Sequence, residues 1–126
     1  DYGRKVLRRR RRKIGGENII DSIGGFKVGD KWAELFLDFD SPNSNCCNRM
    51  GESDPLPLEY LVNGGDCGSG LFILVNGEWQ LAGICSSVDK PSEYFNYGDI
   101  YGRYYGFTFS YLRIFAFKEW ILENTL

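Results

Sequence analysis

"GLFILVNGEWQLAGICSS", Gly70 to Ser87, is two apolar runs separated by the dipeptide Asn76-Gly77. Asn-Gly accepts φ > 0 at both central positions of a two-residue turn, and that turn's twist matches the twist of paired strands. The stretch therefore predicts a β-hairpin, the clearest element in the chain.

Working outward, "KWAELFLDFD" (Lys31–Asp40) puts Ala33, Leu35, Leu37 and Phe39 on one face at strand period. "GENIIDSIG" (Gly16–Gly24) reads as a short strand bounded by glycines. "SPNSNCCNRMGESDPLP" (Ser41–Pro57) is a long polar loop, with Pro42, Pro55 and Pro57 as breakers. After the hairpin come a Gly/Tyr-rich loop, "SEYFNYGDIYGRYYG" (Ser92–Gly106), and a further strand, "FTFSYLRI" (Phe107–Ile114). The tail "FAFKEWILENTL" carries Phe117, Trp120 and Ile121 at helical spacing, which predicts a helix over 115–124. Strands without βαβ alternation, closed by one helix, predict an all-β fold: a six-stranded Greek-key barrel with a C-terminal α-helix. No internal repeat is visible, and 126 residues suffice for one such domain.

Hydrophobic residues make up 43% of the chain and aromatics 16%, a globular composition. No apolar run approaches the ~20 residues of a membrane span, and the opening residues lack the apolar stretch expected of a signal peptide. The net charge of −2 conceals an asymmetry, because eight of the 15 basic residues lie in residues 1–13. Residues 1–15 thus form a basic loop region ahead of an acidic body. Its run Arg8–Lys13 is expected to be a solvated, protease-sensitive loop. It could grip phosphates, but nucleic acid is not the expected partner, since the body is acidic. Cys46, Cys47, Cys67 and Cys85 show no CxxC spacing, and the chain has no His. Neither a metal site nor a secreted disulfide framework is expected, nor is any cofactor, and the compartment stays open.

The hairpin is preceded by "GGDCGSGLF" (Gly64–Phe72), where an acid and a thiol sit among glycines. Read from residue types alone, Asp66 is a turn aspartate and Cys67 is either a nucleophile over backbone N–H groups or a thiol in a flexible turn. The stretch resembles the nucleophile motif GDSGGPL of the trypsin-like (chymotrypsin-fold) proteases, with Cys67 where that family has Ser. Three more stretches match in order. "WQLAGICSS" (Trp79–Ser87) resembles the strand L-x-G-I-x-S. "YGDIYGRYYGFTFSYLRIFAFKEWI" (Tyr97–Ile121) resembles the closing strand and helix, with Tyr111, Arg113, Ile114, Phe117, Trp120 and Ile121 at the signature positions. "DYG" (Asp1–Gly3) resembles the opening of the second barrel. With "PLPLEYL" (Pro55–Leu61) ahead of the motif, the set is closest to bacterial trypsin-like peptidases.

The resemblance implies that residues 1–126 are the C-terminal half of a protease domain, acting by acyl transfer on a peptide or protein substrate. Cys67 would be the nucleophile, and the backbone N–H groups of Gly65 and Cys67 would form the oxyanion hole. Asp66 would be the acid that sets the oxyanion loop by pairing with a freed N-terminal amine. The specificity pocket would have Leu61 at its base and Asn63, Ser86, Ser87, Val88 and Phe109 as walls. Leu61 offers no carboxylate to a basic side chain, and Phe109 stands where the family usually has Gly. A Cys nucleophile is natural in viral chymotrypsin-fold cysteine proteases, and a Ser→Cys replacement would give the same residue; both readings are open. A free Cys is about 3% thiolate at pH 7 even unassisted.

With no His, the general base and its orienting Asp must come from the first barrel, as another segment or a docked chain. The chain alone is expected not to turn over peptide. The alternative expectation is an inactive pseudoprotease that keeps the fold as a binding module.

Overall fold

Asn76 and Gly77 take φ of 50° and 81°, closing the tight turn their side chains favour. They join β3 (Gly70–Val75) to β4 (Glu78–Asp89) as an antiparallel pair. The computed structural model describes residues 15–42, 48–51, 54–62, 65–89 and 105–125. Among these, β1 (Ser22–Val28), β2 (Lys31–Asp38) and β5 (Thr108–Arg113) complete one antiparallel sheet in the order β1-β2-β5-β4-β3. A 3₁₀ turn over Ile114–Phe117 leads into the short helix α1 (Lys118–Asn124). The fold is mostly β with one C-terminal helix, as expected. The opening Asp1–Gly3, the basic run Arg8–Lys13, and Cys46, Cys47 and Asn63 lie outside the described residues.

The strand-period residues of β2 and its continuation carry the core. Ala33, Leu35, Leu37 and Phe39 are all buried, and they cluster with Leu61, Val62, Cys85, Phe107, Phe109 and Tyr111. Burying each large apolar side chain contributes about 1.5–3 kcal/mol, so this face is the main source of cohesion. Cross-strand register fixes the neighbours: Leu37 opposes Phe109, and Leu35 opposes Tyr111.

Two boundaries differ from expectation. The strand expected over Gly16–Gly24 begins only at Ser22 and runs through the glycine pair to Val28. Gly25 has φ +77°, and the β1–β2 register shifts by one residue there, a bulge rather than a break. Upstream, Glu17 forms only an isolated bridge with Glu59. At the other end, the helix expected over 115–124 is 3₁₀ in its first turn. Trp120 and Leu122 remain exposed, while Phe117 and Ile121 are half-buried.

The sheet is curled. Ile23 of β1 and Ile73 of β3, on its two opposite edge strands, line the same cavity of ≈ 540 Å³. A second cavity of ≈ 630 Å³ is lined by Gly15–Asn18 together with Leu71 and Phe72 of β3 and Phe109 and Tyr111 of β5. The β3–β4 hairpin keeps Phe72, Leu74, Trp79 and Leu81 exposed, an apolar face without cover among the described residues.

Candidate active site around Cys67

The turn that carries Cys67 is built on glycines. Gly65 and Gly68 have φ of +101° and +86°, values that L side chains rarely adopt. The turn is stitched to β4 through its backbone. Gly68 N–H donates to the Cys85 carbonyl at 3.1 Å, and Cys85 N–H donates to the Ser69 carbonyl at 2.8 Å. Ser69 N–H closes the turn on the Asp66 carbonyl at 2.9 Å. Cys67 is left exposed at the apex, with a free thiol.

Asp66 is half-buried, and its Oδ2 accepts a hydrogen bond from the Tyr60 hydroxyl at 2.7 Å. Beneath the turn lies Cys85, also free but buried. Burial pushes its thiol pKa up; a hydrogen bond with Ser69 opposes this, and the nearby Cys67 and Asp66 add to the rise. Burial likewise pushes the Tyr111 phenol up to about 12, with Cys85 and Asp66 adding and Ser69 opposing. Cys67, Asp66, Ser69, Cys85 and Tyr111 thus form one electrostatic neighbourhood. In it Cys85 and Tyr111 are held protonated at neutral pH.

The residues expected to shape a specificity pocket separate into two groups. Leu61 and Phe109 are buried in the core cluster, Phe109 at 2% exposure. Ser86, Ser87 and Val88 are exposed on β4. Ser86 is the extra residue of a bulge, since Cys85 opposes Tyr111 while Ser87 opposes Ser110. Bulges re-aim side chains, and this one turns the strand just beyond Cys85. The Ser87 hydroxyl lies 2.8 Å from that of Ser110, which donates to Glu34 Oε1 at 3.3 Å. Sequence reasoning missed Tyr60, Ser110 and Glu34. All three are placed by cross-strand register or loop geometry, which leave no local pattern.

A second polar cluster was equally invisible in the sequence. Asp38, at the end of β2, is 1% exposed and accepts from Arg49 N–H and Met50 N–H at 2.8 and 2.9 Å through Oδ2. Asp21 Oδ2 accepts from Asp38 N–H at 3.3 Å, and Glu59 Oε1 from Asp40 N–H at 3.5 Å. Among the described residues the Oδ1 atoms of Asp38 and Asp40 are buried without a hydrogen-bond partner. Burial first, then repulsion from Asp38, raises Asp21 to about 6 and Asp40 to about 7. Among the described residues no set of three or more His, Cys, Asp or Glu could hold a metal ion.

The raised carboxyl pKa values predict an unusual pH dependence for the fold. A carboxyl whose folded pKa lies above its unfolded value favours folding when protonated, and that advantage is lost as pH rises through the folded pKa. Stability should therefore fall between about pH 4 and pH 7, and lowering the pH from 8 to 5 should add about 4 kcal/mol, at ~1.4 kcal/mol per unit of pKa. Asp40→Asn should stabilise the protein at pH 8 and flatten the profile. Thermal melts of both proteins between pH 5 and 8 check this; a wild-type midpoint that drops steadily on acidification would count against it.

No helix among the described residues is long and apolar enough to cross a membrane. No family model, curated protein or solved structure matches this chain.

Proposed function

We propose that this chain is the nucleophile-bearing second barrel of a trypsin-like endopeptidase, which cleaves peptide bonds by acyl transfer through Cys67. The observation that carries the reading is the Gly65–Gly68 turn. It presents an exposed thiol between two left-handed glycines and is hydrogen-bonded to the neighbouring strand β4. A nucleophile needs that exposure, and a tetrahedral oxyanion needs convergent backbone N–H groups, here those of Gly65 and Cys67. Strand order gives further support. β2 lies beside β5, with β4 and β3 following in reverse sequence order, an order compatible with a Greek key. A sixth strand joining the free edges of β1 and β3 would close this sheet into a barrel.

In this mechanism a His of the first barrel takes the Cys67 proton as Sγ attacks the substrate carbonyl carbon. The oxyanion is held by the Gly65 and Cys67 N–H groups. Collapse breaks the C–N bond, the imidazolium gives its proton to the leaving amine, and water then hydrolyses the thioester. The chain itself has no His to supply this base. The exposed apolar face of Phe72, Leu74, Trp79 and Leu81 provides surface for a partner such as the first barrel.

A second reading, an inactive binding module of the same fold, is favoured by one observation. Leu61 and Phe109, expected around the pocket, are packed into the core. Co-expressing the chain with a His-bearing first barrel of this fold separates the two readings. A stable complex that hydrolyses peptide libraries supports the protease. A stable complex that binds peptides without cleaving them supports the binding module.

A further inference from the structure

We infer that Tyr60 is a positioning residue for Cys67: its hydroxyl, donating to Asp66 Oδ2 at 2.7 Å, holds the nucleophile turn in shape from within the chain. The inference rests on the protease reading of Cys67. In the family that the sequence resembles, the acid beside the nucleophile is set by an N-terminal amine freed by cleavage. Here a phenol six residues upstream already engages one of the acid's oxygens.

Both sides of the clamp are anchored. Tyr60 N–H donates to the Glu17 carbonyl at 3.0 Å, and the Tyr60 carbonyl accepts from Asn18 Nδ2 at 3.1 Å. The same amide nitrogen donates to the Asp38 carbonyl at 2.9 Å, tying the segment to the end of β2. Beyond the clamp, the Asp66 carbonyl receives Ser69 N–H, and Gly68 and Ser69 bond to Cys85. Asp66 is therefore held through its carboxyl on one side and its carbonyl on the other, and Cys67 follows it directly.

The chemistry of the donor has a consequence for regulation. An amine must be created by proteolysis and must stay protonated to pair with a carboxylate. A phenol is present from synthesis and donates as a neutral group across the physiological range. Burial, then the hydrogen bond to Asp66 and its charge, keep the Tyr60 hydroxyl protonated. The turn is thus built on folding, without an activating cleavage.

Tyr60→Phe removes the donor and keeps the ring. In the full chain, amide hydrogen exchange at Gly68 and Ser69 is expected to quicken about tenfold, in line with loss of a bond to a charged acceptor. Exchange at Phe39, whose N–H bonds the Phe107 carbonyl at 2.9 Å, should not change, and so reports that the fold is intact. Asp66→Ala, which removes the acceptor, should quicken the same two amides, and adding Tyr60→Phe to it should quicken them no further. Unchanged exchange at Gly68 and Ser69, or additive effects in the double variant, would overturn the inference.

In the assembled protease, Tyr60→Phe should lower kcat about tenfold with KM unchanged. Extending the first barrel's N-terminus should leave wild-type kcat intact. Loss of activity on that extension would show that an amine sets the turn instead. If the assembly cleaves nothing, the protease reading fails, while the exchange data still decide whether Tyr60 holds the turn.

Discussion

Alanine in place of Cys67 should lower peptide turnover by the assembled two-barrel protein roughly 10⁴-fold or more, with KM little changed. In the proposed mechanism the thiol makes the covalent bond, so its loss would remove an interaction that exists only along the reaction path. What survives would be the modest acceleration given by the oxyanion N–H groups and substrate positioning. Cys67→Ser discriminates further. The surrounding motif resembles that of serine enzymes, so a hydroxyl at this apex should still turn over once an imidazole is docked. It should depend on that base far more than the thiol does, because a hydroxyl has no appreciable ionised fraction of its own at neutral pH. Steady-state kinetics of the three forms check this. Equal turnover in the wild type and Cys67→Ala would remove Cys67 from the chemistry altogether.

The parts of this fold that could be read from sequence are those fixed by neighbours along the chain. Asn76-Gly77 specified the β3–β4 turn, and the alternation from Ala33 to Phe39 specified which face of β2 is buried. The glycine pair Gly24-Gly25 misled for a physical reason. Glycine marks a strand end as readily as a bulge, and only the pairing with β2 decides between them. The 3₁₀ start of the terminal helix was hidden for a similar reason, since Ile114–Phe117 has no capping side chain to announce it. At the candidate site, Cys67 and its glycines were legible because the turn is local. Tyr60 was not, because its approach to Asp66 depends on how an irregular segment is tied to Glu17 and Asn18. The gathering of Asp21, Asp38, Asp40 and Glu59 is equally non-local; nothing in their separate stretches signals that they meet.

Phe109→Ala should destabilise the protein by about 3–5 kcal/mol, the usual cost of removing a buried aromatic ring. Phe109 is 2% exposed and sits at the centre of the sheet, opposite Leu37 on β2 and Val88 on β4. Its ring meets that of Tyr111 edge-on, with centroids 6.1 Å apart, so truncation also forfeits an aromatic pair. Against a typical domain stability of ~5–15 kcal/mol, the loss is a large fraction of the total. Urea unfolding measures it, and a change below about 1 kcal/mol would mean that the ring is not part of the packed core. The same substitution tests what the ring does for recognition. Phe109 and Leu61 belong to one cluster, and Leu61 carries no charge, so the space vacated would be lined by apolar groups. If the chain acts as the proposed protease, the assembled variant should gain on substrates with large apolar side chains relative to small ones, and should gain nothing on Arg or Lys, whose charge would be left unpaired there. A stability loss without any change in side-chain preference would assign Phe109 to the core alone and locate the pocket elsewhere along β4.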